Sequence, residues 1–152
     1  MKDVERILFP VDFSDVSPTI VPWVMTMAEK FNSKVHLLFV ARGLEYYSSV
    51  YVSYVSIEDF ERQVVEGSET TMDEFIKKHF SGYADCLGRV VVGDPAEEIL
   101  NYVEKEKIDM IIIPTHGRKG IEKILFGSVA RRVIRMSPVP VLSINPHRKR
   151  KI

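Results

Sequence analysis

The sequence predicts a single-domain α/β protein built on an open, mostly parallel sheet with helices on both faces. Three observations predict it. The apolar runs are short, and stretches with helical spacing separate them. The order alternates strand and helix from the first residues to the last, which implies a parallel sheet covered on both sides. The length, 152 residues, suits one domain with one core.

The first strand is Arg6–Val11, RILFPV. Ser17–Phe31 follows with Val21, Val24, Ala28 and Phe31 at helical spacing. Ser14 or Ser17 is the expected cap, with Pro18 in the first turn. Lys34–Ala41, KVHLLFVA, is the second strand. Arg42–Val55 has no clean period and holds Tyr46, Tyr47, Tyr51 and Tyr54. It reads as a long connection whose tyrosines serve packing or dimer contact. Ser56–His79 is helical and rich in glutamate, and Leu87–Val92 is the third strand.

Gly93-Asp94-Pro95 starts the next helix, with Asp94 as cap and Pro95 at the first helical position. Ala96–Lys105 continues it. Asp109–Pro114, DMIIIP, is the fourth strand, and Thr115–Phe126 is a glycine-containing loop. Ser128–Met136 is the fourth helix and Val139–Ile144 the fifth strand. Residues 1–146 form the domain, and 147–152 are a basic, solvated tail.

Composition excludes several classes of function. Apolar residues are 45% and charged residues 28%, and 21 basic residues balance 21 acidic ones. A chain without net charge has no global pull toward nucleic acid or an anionic membrane. No apolar stretch nears the roughly 20 residues that cross a bilayer. The single cysteine, Cys86, permits no internal disulfide and fits a reducing compartment, so the expected location is cytoplasmic. There is no G-x-x-x-x-G-K-[ST], no G-x-G-x-x-G after the first strand and no G-x-S-x-G. The histidines, His36, His79, His116 and His147, are scattered without metal-ligand spacing, so no metal site is expected. His36 reads as a packed or edge residue.

In an open parallel sheet, ligands bind beyond the carboxyl ends of the strands. Those ends are Pro10, Val11 and Asp12, then Val40 and Ala41, then Pro114 to Gly120. The last group continues to Gly127-Ser128, where the fourth helix begins. Glycines let backbone amides approach an anion, and a helix N-terminus offers unpaired N–H groups and a positive dipole end. Two readings follow: a phosphate site, or a glycine hinge with a serine cap.

The block PTHGRKGIEKILFGSVARRVIRMSPVPVLSI closely resembles the last third of universal stress proteins, whose nucleotide loop is G-x2-G-x9-G-[ST]. Gly117, nine residues and Gly127-Ser128 match its second half, while Pro114 stands where its first glycine belongs. ILFPVDFS and VVGDPAEEIL resemble the family's first strand and its third strand with the following helix. The resemblance covers nearly the whole chain, least clearly Arg42–Phe80.

The resemblance implies a Rossmann-like, five-stranded parallel sheet of order 3-2-1-4-5, a homodimer, and an adenine nucleotide site. By matched position, Asp12 would bond the ribose, and Pro10, Val11 and Val40 would line the adenine pocket. Gly117, Gly127, Ser128 and Val129 would hold the phosphates, with His116 on the same loop. The expected ligand is ATP or AMP with Mg²⁺, and the expected role a stress-response or signalling protein. A dimer of the same family that works without nucleotide is the alternative. An ATP-hydrolysing enzyme is the weakest reading, because no general base beyond His116 and no positioned nucleophile can be named. The strand Val139–Ile144 is last in the sheet order, and an apolar edge of that kind tends to pair with another chain.

Overall fold

The computed structural model describes residues 1–43, 46, 56–117 and 126–147. Five strands form one sheet: β1 (Arg6–Pro10), β2 (Lys34–Ala41), β3 (Cys86–Val92), β4 (Met110–Pro114) and β5 (Val141–Ile144). Four helices connect them: α1 (Val16–Phe31), α2 (Ile57–His79), α3 (Pro95–Lys105) and α4 (Ser128–Met136). All four ladders are parallel, and the order is β3-β2-β1-β4-β5, as the sequence led us to expect.

Alternation along each strand divides the core in two. Ile7, Phe9, Val35, Leu37 and Ile112 face α1 and α2, where they meet Ile20, Val24, Ala28, Met72 and Phe75. Leu8, Leu38, Ile111 and Ile113 face α3 and α4, where they meet Ile99, Val103, Ala130 and Val133. Central strands apolar on both sides are the reason RILFP and MIIIP read as continuous runs and not as alternating ones.

Element ends follow local chemistry. α2 is capped by Ser56, whose hydroxyl accepts from the Asp59 amide at 3.1 Å. Asp94 caps α3 by accepting from the Glu97 amide at 3.0 Å, with Pro95 at the first position. α1 departs from expectation. Its N-cap is Asp15, which makes no side-chain cap bond; the Ser14 hydroxyl, one residue earlier, accepts from the Val16 amide at 3.3 Å, and the Ser17 hydroxyl turns to Asp12. β5 begins at Val141 and not Val139. Pro140 has no N–H to give the ladder, although its carbonyl accepts from the Ile111 amide at 3.0 Å. Val11 lies just past β1 yet still donates to the Leu38 carbonyl at 2.9 Å.

His36 is buried on β2, an interior strand, so it is packed and not at an edge. Tyr46 is exposed and lies under the Arg42 guanidinium, 4.4 Å from the ring centre, so it is no part of the core. Tyr47, Tyr51 and Tyr54 fall outside the described residues. Among the described residues no helix is long and apolar enough to cross a membrane.

Candidate functional site

The middle of the sheet is where the chain reverses its direction of winding, because β1 is flanked by β2 on one side and β4 on the other. The β1–β2 ladder runs from Arg6–Lys34 to Pro10–Leu38. The β1–β4 ladder spans only Ile7–Met110 and Leu8–Ile111. Beyond Leu8 the two strands are no longer bonded to each other. Both end in proline, Pro10 and Pro114, which have no amide to extend the ladder. The carboxyl ends of β1 and β4 flank this switch point, the place of the ligand crevice in open α/β sheets.

Asp12 stands at one lip of this crevice. Its Oδ1 accepts from the Ser14 amide at 2.9 Å, the Ser14 hydroxyl at 2.6 Å and the Ser17 hydroxyl at 3.0 Å. The Ser17 hydroxyl also accepts from the Asp12 amide at 3.3 Å. These bonds orient the carboxylate through Oδ1. They draw both serines to Asp12: Ser17 is buried and donates to it, while Ser14, within the turn, also accepts from the Val16 amide at 3.3 Å at the start of α1. A serine just before a helix carries the same local signal for capping and for holding a carboxylate, so the sequence offers Ser14 or Ser17 as the cap and does not announce their bonds to Asp12.

Across the crevice, Thr115, His116 and Gly117 leave β4. The Thr115 amide donates to the Ile144 carbonyl at 2.8 Å, which ties this turn to β5. A β-carbon on Gly117 would fall 2.8 Å from Asp12 Oδ2, so the two lips meet at these residues. The Gly127 amide donates to the Thr115 carbonyl at 2.6 Å, and Gly127 is the N-cap of α4. Ser128 is the first helical residue. Asp12, His116, Gly117, Gly127 and Ser128 thus come together, although a hundred residues of sequence separate the first from the rest.

The apolar members divide differently. Pro10 ends β1 and is half-buried. Val11 is buried in the α1–α2 core. Val40 and Val129 pack against the α3–α4 core. Pro114 is the last residue of β4, paired with Ile144, so it closes the ladder at the crevice floor. The loop residues between Gly117 and Phe126 lie outside the described residues.

His116 is buried, with Nδ1 2.8 Å from the Thr115 hydroxyl. His147, the first residue of the tail, meets it edge-on with ring centres 5.4 Å apart. No local pattern announces this contact, since the two histidines are 31 residues apart in sequence. A cleft of about 300 Å³ opens at the ends of β2 and β3 between Arg42, Tyr46, Glu61 and Asp94. Among the described residues no three metal-ligating side chains cluster. Burial, with Asp85 beside it, pushes the Cys86 thiol up to about 12, which leaves it protonated and poorly nucleophilic.

The comparisons agree with this geometry. Residues 3–145 match the Universal stress protein family. The chain is 31% identical to Universal stress protein MJ0531 of Methanocaldococcus jannaschii, over 95% of its own length and 84% of that protein. It superposes on the solved structure of hypothetical protein MJ0577 with a TM-score of 0.81 at 29% identity, covering 99% of this chain and 100% of that one. The universal stress protein from Archaeoglobus fulgidus, solved in complex with dAMP, shares the fold with a TM-score of 0.65 at 22% identity, over 93% and 98% of the two chains. A further universal stress protein, solved in complex with cAMP, superposes with a TM-score of 0.67 at 19% identity, over 95% and 99%. With the sheet order, the crevice and a match across nearly its full length, the chain belongs to the universal stress protein family.

Proposed function

We propose that this chain binds an adenine nucleotide, ATP or AMP, in the crevice between β1 and β4, and acts as a stress-response or signalling homodimer and not as a dedicated enzyme. The observation that carries the reading is the meeting of Asp12 and Gly117 at the crevice mouth, with Gly127 and Ser128 at the start of α4 beside them. An ionised carboxylate oriented by Ser14 and Ser17 is acceptor-only, which suits ribose hydroxyls. A glycine-lined turn beside a helix N-terminus suits phosphate oxygens. Relatives of the same fold have been solved with dAMP and cAMP, which supports the same ligand class here. Pro10, Val11 and Val40 are the proposed adenine-side residues, and Val129 and His116 complete the phosphate side. Mg²⁺ would accompany ATP to offset phosphate charge. The family and the single cysteine fit a cytoplasmic location.

The dimer would use β5, which pairs only with β4 and is an edge of the sheet. Light scattering at micromolar concentration tests it, and a monomer would contradict it.

A second reading is favoured by one residue. Pro114 puts a ring where the family's loop has its first glycine, and a ring too close to the nucleotide would leave a dimer that works without ligand. Isothermal titration of ATP, ADP and AMP, with and without Mg²⁺, separates the two. Binding by the wild type supports the nucleotide reading. Binding only after Pro114→Gly would support the ligand-free dimer. Absence of heat from both proteins at millimolar ligand would end the nucleotide proposal.

A further inference from the structure

The β2 run KVHLLFVA is apolar apart from Lys34 and His36. Strand alternation puts His36 on the side of Leu38, facing α3 and α4, and Tyr102 of α3 meets it there. His36 is 4% exposed. Its Nδ1 lies 3.0 Å from the Tyr102 hydroxyl, and the rings meet edge-on with centres 5.8 Å apart. Its Nε2 is enclosed and has no hydrogen-bond partner among the described residues.

The neutral ring suits this enclosure. In either tautomer it shares one hydrogen bond with Tyr102 and leaves one nitrogen unpaired. The charged ring does not suit it. Protonation makes both nitrogens donors, so Nε2–H becomes a buried donor without an acceptor and the site gains a charge. The surrounding charges add to the cost. Among the described residues, Lys34 on β2, Arg6 on β1 and Arg89 on β3 are cations that oppose the charge, and Glu106, just past α3, is the anion that favours it. Arg6 donates to the Glu106 carbonyl at 3.1 Å, so the end of α3 is drawn toward that cation. Burial first, then Lys34, holds His36 below its ordinary value of 6.5, with Glu106 opposing. The Tyr102 hydroxyl is pushed up to about 12 by burial and Glu106, so it offers no negative charge in return.

α3 also carries the next layer. Its cap, Asp94, accepts from Arg132 of α4 at 2.8 Å. We propose that the His36–Tyr102 pair is an acid-sensitive latch: neutral His36 keeps α3 docked on the sheet, and a proton on His36 loosens the α3–α4 layer. The latch needs no nucleotide and does not rest on the nucleotide reading.

The direction of the effect follows from proton binding. Released His36 titrates near 6.5 and docked His36 below it. The released state therefore holds more protons between those values. The latch is fully effective above 6.5 and is lost as pH falls from there toward the docked value. Within that window each pH unit shifts the equilibrium by up to about tenfold.

The test begins on the wild type. An NMR titration of the His36 ring is expected to give a midpoint below 6.5, and a midpoint at or above 6.5 overturns the latch. Amide exchange at two pH values on either side, corrected for intrinsic rates, is expected to show protection lost first in α3. Uniform loss over all four helices overturns it. Urea midpoints then compare the wild type with the double variant His36→Leu, Tyr102→Phe, which keeps the volume and removes both polar partners. The wild type is expected to lose more stability on acidification than the variant, and equal losses count against the latch. His79 on α2, also held low by burial and Lys78, is present in both proteins and cancels. Should the double variant fail to fold, the two wild-type measurements still decide.

Discussion

Asp12 and Gly117 stand so close that the glycine's missing β-carbon would lie 2.8 Å from the carboxylate Oδ2. No ordinary β-carbon tolerates that distance, and Asp12 cannot simply swing away, because Ser14 and Ser17 hold its other oxygen. Gly117→Ala should therefore disturb the ribose side of the proposed site as well as the phosphate turn. We expect ATP, AMP and adenosine all to bind about ten- to a hundredfold more weakly, as they should in Asp12→Ala, from the loss of bonds of roughly 1.5–3 kcal/mol. Isothermal titration checks this. Adenosine affinity unchanged in Gly117→Ala would disconnect the two lips.

Gly127 should behave differently. A β-carbon there would sit in ordinary contact, 3.4 Å from the Thr115 carbonyl oxygen and 4.0 Å from His116 Cα, so only a branched side chain meets this backbone too closely. Gly127→Val crowds the start of α4 and leaves Asp12 alone. Affinity for ATP should fall about ten- to a hundredfold, through one or two charge-assisted bonds, while adenosine changes little. Equal losses for the two ligands would mean that α4 does not contact phosphate.

Ser17 joins the site to the fold. It is buried, and its hydroxyl both donates to Asp12 Oδ1 and accepts from the Asp12 amide. Ser17→Ala leaves an amide and a carboxylate oxygen short of a partner, at about 1–3 kcal/mol. Urea denaturation should show that loss, and nucleotide affinity should weaken with it. A variant as stable as the wild type would show that water replaces the hydroxyl.

Gly88 offers a control remote from the crevice. A β-carbon there would meet Met72 Cγ at 2.4 Å and Ile76 Cδ1 at 2.9 Å, so these side chains of α2 must shift where they pack on β3. Gly88→Ala should lose about 1–3 kcal/mol by overpacking. Nucleotide affinity at a temperature where the variant is folded should be unchanged. Calorimetric melting beside titration separates the two quantities.

The fold was legible because its elements are locally consistent. The bounds of β2 and α4 coincide with the expected ones, since KVHLLFVA is a long β-branched and apolar run and SVARRVIRM is stopped by Ser137-Pro138. Val139 was misassigned to β5 because its side chain continues the apolar run, whereas strand membership depends on amides that Pro140 cannot supply. In the site, residue types pointed to Asp12, Gly117 and Gly127, but not to what orients them. The serines beside Asp12 carry two equally good local readings, and only the fold chooses between them. The His116–His147 and His36–Tyr102 contacts join elements far apart in sequence, so no local pattern announces them.

Phe13 follows Asp12 with φ at 58°, a left-handed conformation that bulky residues rarely take and that costs of order 1–3 kcal/mol. Its ring lies 4.6 Å from that of Phe39 and 6.1 Å from that of Phe75, centre to centre. The turn that aims Asp12 is therefore clamped from behind by an aromatic cluster rooted in β2 and α2. Ligand affinity and the seating of a helix outside the crevice become one thermal quantity: warming that frees Phe75 lets the turn relax, and the carboxylate loses its aim while the sheet is still intact.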